Sequence, residues 1–141
     1  MHSSVARVLF VALMCTSATA VGAARTDYVL NCQGCHAADG TGMPPDVPSL
    51  KGNVGYYLQV EGGRDYLVQV PGAANSLLSD AALADVINWM LRDFAGESLP
   101  DDFVPFTANE VTKARVVRPA DISALRATLA TRLRDKFGAA P

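Results

Sequence analysis

Cys32-Gln33-Gly34-Cys35-His36 sets two thiols three residues apart, with an imidazole directly after the second. The rest of the chain narrows what such a group of side chains can do. The 141 residues include three cysteines, an odd number that does not make a disulfide scaffold. A structural zinc site draws on four nitrogen or sulfur ligands. Once the leader described below is removed, only Cys32, Cys35 and His36 remain of all cysteines and histidines. A thioredoxin-like C-x-x-C needs a preceding strand in an α/β frame, and about a dozen mature residues leave little room for one. A disulfide between Cys32 and Cys35 closes too small a loop to stabilise much. The reading that survives is attachment of one haem. The two thiols reach its two vinyl groups as thioethers, and His36 is held under the iron as the proximal ligand.

Upstream, Arg7 is the sole Lys, Arg, Asp or Glu before Arg25, and Val8 to Met14 is an unbroken apolar run. Ala18-Thr19-Ala20 and Val21-Gly22-Ala23 both fit the small-x-small rule. The pattern predicts a signal peptide over 1–23, cut after 20 or 23, and an exported, periplasmic protein. The apolar run is shorter than the ~20 residues a membrane span needs, so no span is expected in the mature chain. Met14 before Cys15 is too bulky for a lipid-modified N-terminus.

Half the residues are hydrophobic and 18% are charged, which excludes a disordered chain. The net charge of −2 excludes a nucleic-acid binder by bulk charge. That charge is divided unevenly. Thr26 to Glu110 holds twelve acidic and three basic residues, and Val111 to Pro141 holds seven basic and two acidic ones. An acidic body carries a basic tail.

The periodicity predicts an all-α chain with long loops in its middle. Thr26–Asn31 reads as a short helix, and Asp39–Pro48, rich in Gly and Pro, as loop. Tyr56–Leu58 and Arg64–Val70 suit helical turns, although Leu67, Val68 and Val70 also suit a strand. Asp80–Phe94 is the strongest helix, with Ser79 as N-cap and Leu83, Val86, Ile87, Met90, Leu91 and Phe94 on one face. Gly96 reads as its stop. Asp101-Asp102 reads as a solvated turn, and Thr107-Ala108-Asn109-Glu110 is a capping box. A last helix is expected to start at Pro119, to bury Ile122, Leu125, Leu129 and Leu133, with Phe137 beyond, and to stop at Gly138.

With these residues in view, the chain resembles the class I c-type cytochromes from about Tyr28 to Phe94. The resemblance rests on Cys32–His36 followed by Asp39-Gly40-Thr41-Gly42, on Val47-Pro48-Ser49-Leu50, on Gly63-Arg64-Asp65-Tyr66-Leu67, and on Leu78-Ser79-Asp80 leading into the helix with Trp89. It implies a cytochrome c-like helical fold around one covalent haem c, here over 24–95, with a helical extension over 96–141. It also implies that Pro48 offers its carbonyl to the Nδ1–H of His36, the outer contact that fixes a ligating imidazole's tautomer. Trp89 is expected to pack near Tyr28.

One departure from the family bears on function. The family's sixth iron ligand is usually a Met just before the last core helix, and Val70–Ser76 contains none. Met43, Met90, Asn75 and an open or water-filled position remain as alternatives for the distal side. Met90 lies on an apolar helix face, where packing is its ordinary use. Lys51 reads as a surface charge. The reading is an electron carrier, not an enzyme, working between redox proteins such as a dehydrogenase donor and an oxidase acceptor. The alternative is a haem protein that binds or turns over a small ligand at an open distal site. In the basic tail the leucine face is expected to pack on the body. Arg118, Arg126, Arg132 and Arg134 are expected to face outward, available for docking.

Overall fold

The computed structural model describes residues 16–138, so the apolar run of the expected leader lies outside the described residues. The elements are α1 (Thr16–Asn31), α2 (Gln33–His36), α3 (Gly63–Gln69), α4 (Pro71–Ala74), α5 (Asp80–Phe94), α6 (Ala108–Val116) and α7 (Ile122–Phe137). Single 3-10 segments fall at Val54–Gln59 and Gly96–Ser98. Among the described residues the one β feature is an isolated Met43–Val47 bridge within the expected loop. None of the described helices is long and apolar enough to cross a membrane.

Helix α1 is longer than the Thr26–Asn31 helix expected and runs unbroken through both expected cleavage positions. Its firmly buried residues are Ala24 and Tyr28, one helical turn apart and both past the later cut. Tyr28 meets α5, where its ring centroid lies 5.1 Å from Trp89 and 5.2 Å from Phe94. Trp89 and Phe94 meet edge to face at 5.3 Å, a favoured aromatic geometry.

Helix α5 forms over the expected residues. The Ser79 side chain accepts from Ala82 N–H, and Leu83, Val86, Ile87, Met90, Leu91 and Phe94 are all buried. Met90 is thereby core packing. The ambiguous Leu67-Val68 stretch is helical, because Gly62 turns the chain at φ +79° and buries four successive residues, Tyr66 to Gln69, against the core. Strand alternation would have left every second one outside.

The extension is tied to this core by polar contacts as well as apolar ones. Buried Asn88 on α5 donates from Nδ2 to the Phe106 carbonyl at 2.9 Å and accepts from Phe106 N–H at 2.7 Å. Thr107 caps α6 by accepting from Glu110 N–H at 3.3 Å, as the capping box requires. Helix α7 begins later than Pro119. Asp121 is its cap and accepts from Ser123 and Ala124 N–H at 2.8 and 2.9 Å. An Asp side chain that satisfies two orphan amides outweighs the φ preference of a nearby proline. Leu129 and Leu133 are both 0% exposed, and Gly138 ends the helix at φ +76°.

Arg64 stacks 3.9 Å over the Phe106 ring and makes a two-pronged ion pair with Glu110. The hydrogen bond and charge of Arg64 hold the Glu110 carboxyl below its ordinary 4.5. A carboxylate with a depressed folded pKa adds stability above its unfolded pKa and loses it as pH falls through the folded value. Glu110→Gln is therefore expected to lower stability by about 1 kcal/mol at neutral pH. The difference from wild type should close as pH falls below the ordinary carboxylate range and Glu110 is protonated in the folded state, in melting curves taken across acid pH.

Candidate functional site

Cys32, Cys35 and His36 stand on and beside the single turn α2. Cys32 N–H bonds the Tyr28 carbonyl at 2.8 Å, so α2 follows α1 almost without a break. His36 N–H returns to the Cys32 carbonyl at 3.0 Å. The two thiols are free, Cys32 partly buried against the core and Cys35 exposed. Burial and the neighbouring Cys35 push the Cys32 thiol up to about 11, so it stays protonated at neutral pH.

The chain leaves α2 through Ala37 at φ +54° and ψ 174°, a region that L residues rarely occupy. The Tyr28 hydroxyl donates to the Ala37 carbonyl at 2.7 Å and holds it there. Burial raises that hydroxyl's pKa to about 12, so it remains a donor. Ala37→Gly is expected to raise stability by about 1 kcal/mol, since relief of the strain exceeds the added freedom of the unfolded chain. A rise of several degrees in melting temperature would register it.

The loop after α2 folds back onto His36. The Asp39 carboxylate accepts from Thr41 N–H at 3.2 Å and Thr41 Oγ1 at 2.7 Å, and pairs with Lys51 at 3.2 Å. The Thr41 hydrogen bonds, with Lys51 adding to them, bring its pKa down to about 2. Gly40 lies against the Phe94 ring, where a Cβ would fall 2.8 Å from its nearest atom. Gly42 lies against the Val47 and Pro48 carbonyls, and a Cβ there would fall 2.5 Å from the Pro48 oxygen. Only a glycine at position 42 leaves room for the Val47 and Pro48 carbonyls. The Pro48 carbonyl is close enough to His36 to favour its protonated ring, while burial acts more strongly and pushes the ring's pKa down. Nδ1 itself is shut off from solvent and meets no partner in hydrogen-bond geometry.

Val70–Ser76 contains the one-turn helix α4, opened by Pro71 and closed at Asn75. Its side chains contribute modest burial, with Val70 and Ala73 packed partly buried on the core. Ala74 is buried, and Leu77 just beyond is 100% exposed. Two arginines from the far end of the chain hold it as well. Arg115 donates to the carbonyls of Ala73 (3.3 Å), Ser76 (2.8 Å) and Leu78 (2.9 Å), to Ser76 Oγ (2.9 Å), and to Asp80 Oδ1 (2.7 Å). Arg118 donates to Asn75 Oδ1 at 3.0 Å and to the Ala74 carbonyl at 3.3 Å. The amide oxygen of Asn75 is therefore occupied by a guanidinium. Met43 is exposed on the loop that carries Pro48, and Met90 is buried in the core on α5.

Arg118, Arg132 and Arg134 are solvent-exposed as expected and Arg126 is half-buried, but the tips of three of the four also reach back to the body. Arg118 holds Asn75, Arg126 donates to Tyr66 Oη at 3.0 Å and the Asp46 carbonyl at 3.2 Å, and Arg132 donates to the Glu61 carbonyl. Arg134 bonds Thr131 of its own helix. Carbonyls left over in irregular segments need donors, and long flexible guanidinium groups supply them. Arg115 carried no signal in sequence, because its partners lie 35 to 42 positions away and most of them are backbone oxygens.

No family model matches the chain. It is 34% identical over 102 residues to cytochrome c-552 of Thermus thermophilus, a match covering 60% of this chain and 78% of that protein. The same identity over the same length holds for a second Thermus thermophilus cytochrome c-552, 69% of which is covered. The helical fold agrees with this kinship. The chain belongs to the class I c-type cytochromes, whose cofactor is covalently bound haem c.

Proposed function

We propose that Cys32 and Cys35 hold haem c, that His36 binds its iron, and that the protein carries single electrons between redox partners outside the cytoplasm. The carrying observation is the donor set. Two free thiols and a half-buried imidazole share one turn, and the imidazole's inner nitrogen is sealed beside the Pro48 carbonyl. Each thiol would be joined to one haem vinyl group by a C–S bond, its hydrogen going to the adjoining vinyl carbon, so attachment would need no oxidant or reductant. A ring kept neutral by burial would present Nε2 to iron, with Nδ1 turned inward beside the Pro48 carbonyl. When bound, haem c supplies reversible one-electron chemistry at its iron.

In this reading residues 1–23 are a leader, 24–95 hold the haem and 96–141 form an extension that packs on them. The sequence pattern of the leader supports export, and the donor and acceptor are redox proteins of the dehydrogenase and oxidase kind. Acid-acetone extraction of protein matured with the haem-attachment machinery tests the assignment. Haem is expected to stay on the polypeptide. Extractable haem would refute the assignment. His36→Ala should retain the thioethers while losing the normal spectrum of ligated iron.

A second reading follows from Val70–Ser76, taken as the segment that faces the iron from the side opposite His36. It offers no Met, His or Cys, and Arg118 occupies its Asn75 oxygen. When haem is bound, this segment would leave the iron's sixth position open to water and to small ligands such as CO. Without a thioether ligand the potential falls below that of a His/Met cytochrome. The ferric spectrum tests this: the weak charge-transfer band of methionine sulfur on iron should be absent. If that band is present and lost in Met43→Ala or Met90→Ala, the open-site reading falls.

A further inference from the structure

We propose that Arg115 is a positioning residue for the iron's sixth side, and that the C-terminal extension controls entry of small neutral ligands through it. The inference rests on the reading that Val70–Ser76 faces that side. Its physical basis is the way the segment is held. A single helical turn leaves its last carbonyls without intrahelical partners. In α4 and the residues after it, oxygens of Ala73, Ala74, Asn75, Ser76 and Leu78 all accept from Arg115 or Arg118.

Other anchorage is modest: Ala74 is buried, Val70 and Ala73 pack partly buried on the core, and Ser76 N–H and Oγ return to the Ala73 carbonyl. A Cβ at Gly72 would touch nothing within 4 Å, and Leu77 is wholly exposed. A segment with few buried apolar contacts opens locally at low cost unless polar bonds hold it. The Arg115 side chain is itself only 16% exposed, and Asp80 neutralises it at the start of α5. Asp80 in turn accepts from Thr112 Oγ1 at 2.6 Å, one turn before Arg115 on α6. The fork is thus fixed at its base on two helices and closed on the segment at its tip. Opening of Val70–Ser76 must break several charge-assisted bonds together, so Arg115 sets how often the segment admits a ligand.

The test uses holoprotein and CO association to the ferrous form after flash photolysis, with imidazole binding to the ferric form as a second probe. Arg115→Gln should speed CO entry by about tenfold or more, since several charge-assisted bonds are lost together. Arg118→Gln, which removes two contacts, should act in the same direction by less. Arg115→Lys keeps the charge beside Asp80 but not the fork, and should fall between wild type and Arg115→Gln. Leu129→Ala weakens the extension without touching Val70–Ser76 and should leave the rate within about twofold, as expected for an uncoupled site. Rates that do not change in Arg115→Gln and Arg118→Gln overturn the proposal. So does an equal acceleration by Leu129→Ala, because the effect would then be general loosening. If Arg115→Gln does not fold, Arg118→Gln and Arg115→Lys decide. A methionine–iron band in the wild type would instead overturn the open-site reading, and is seen before any variant is made.

Discussion

Replacing both Leu129 and Leu133 with alanine is expected to detach α7 from the body. Each leucine is 0% exposed, and a fully buried Leu→Ala change costs about 2–5 kcal/mol. What then remains at this interface is the partly buried Ile122 and Leu125, Arg126 on Tyr66 and Asp46, Arg132 on Glu61, Lys136 on the Gln59 carbonyl at 2.6 Å, and the Phe137 ring 4.8 Å from Tyr56. Hydrogen bonds of long exposed side chains contribute about 1 kcal/mol each after their ordering is subtracted. The loss cannot exceed the whole docking energy of α7, because the helix separates instead. An isolated 16-residue helix is marginal in water. The expected result is an early melting step in far-UV circular dichroism that removes the α7 signal, followed by the transition of the body. A protease should cut near Arg118 to Asp121 in the variant well before it does so in wild type. A single transition moved by less than about 2 °C would show that these leucines carry little of the docking.

Gly42→Ala is the second change of large effect. Its new methyl would overlap the Val47 carbonyl and stand 2.5 Å from the Pro48 oxygen. All of these neighbours are backbone, so no side-chain rotation relieves the clash. The 47–48 strand of the loop must move away from Gly42, and Val47 N–H to Met43 carbonyl, 3.0 Å, is the bond that resists. Overpacking of this kind costs about 1–3 kcal/mol. On the assignment of His36 as iron ligand the Pro48 carbonyl moves with it, which changes the basicity of the imidazole. The expected outcome is a melting temperature lower by several degrees together with a shifted reduction potential in a redox titration. Gly40→Ala, which meets the Phe94 ring rather than Pro48, should destabilise without the same shift in potential.

Much of this architecture was legible wherever it rests on local chemistry. Ser79 and Thr107 announce helix starts because a hydroxyl can reach an amide three residues on. The apolar period of Leu83 to Phe94 announces a buried face, and Trp89 does lie beside Tyr28. The C-x-x-C-H group is legible for the same reason, since all its members fall on one turn. Leu67-Val68 was ambiguous because a segment buried on every side shows neither period. The start of α7 was misplaced by three residues because Pro119 and Asp121 both carry start signals, and an Asp that bonds two amides wins over a preset φ. Arg118 and Arg132 are solvent-exposed as their charge predicts, yet their tips reach back to the body, and charge alone reports only the water side of a helix. Their partners are carbonyls of distant loops, and a carbonyl is present at every residue, so no side-chain pattern marks it.

Those carbonyl partners have a consequence for behaviour in brine. Ion pairs on a surface weaken as dissolved salt shortens the screening length, to about 3 Å at 1 M. Of the four basic tail residues that reach the body beyond Arg115, none ends on a carboxylate: Arg118, Arg126, Arg132 and Lys136 end on amide, phenol or backbone oxygens. A dipolar acceptor gives mobile counterions no charge to displace. An acidic body and a basic tail that met through opposite charges would part as salt rose. This one, seated on leucines and fastened mostly to neutral oxygens, with a part-buried Arg115–Asp80 pair that salt screens little, should hold its shape from dilute buffer to seawater strength. Its surface carboxylates meanwhile stay free to tune how quickly a charged partner finds it.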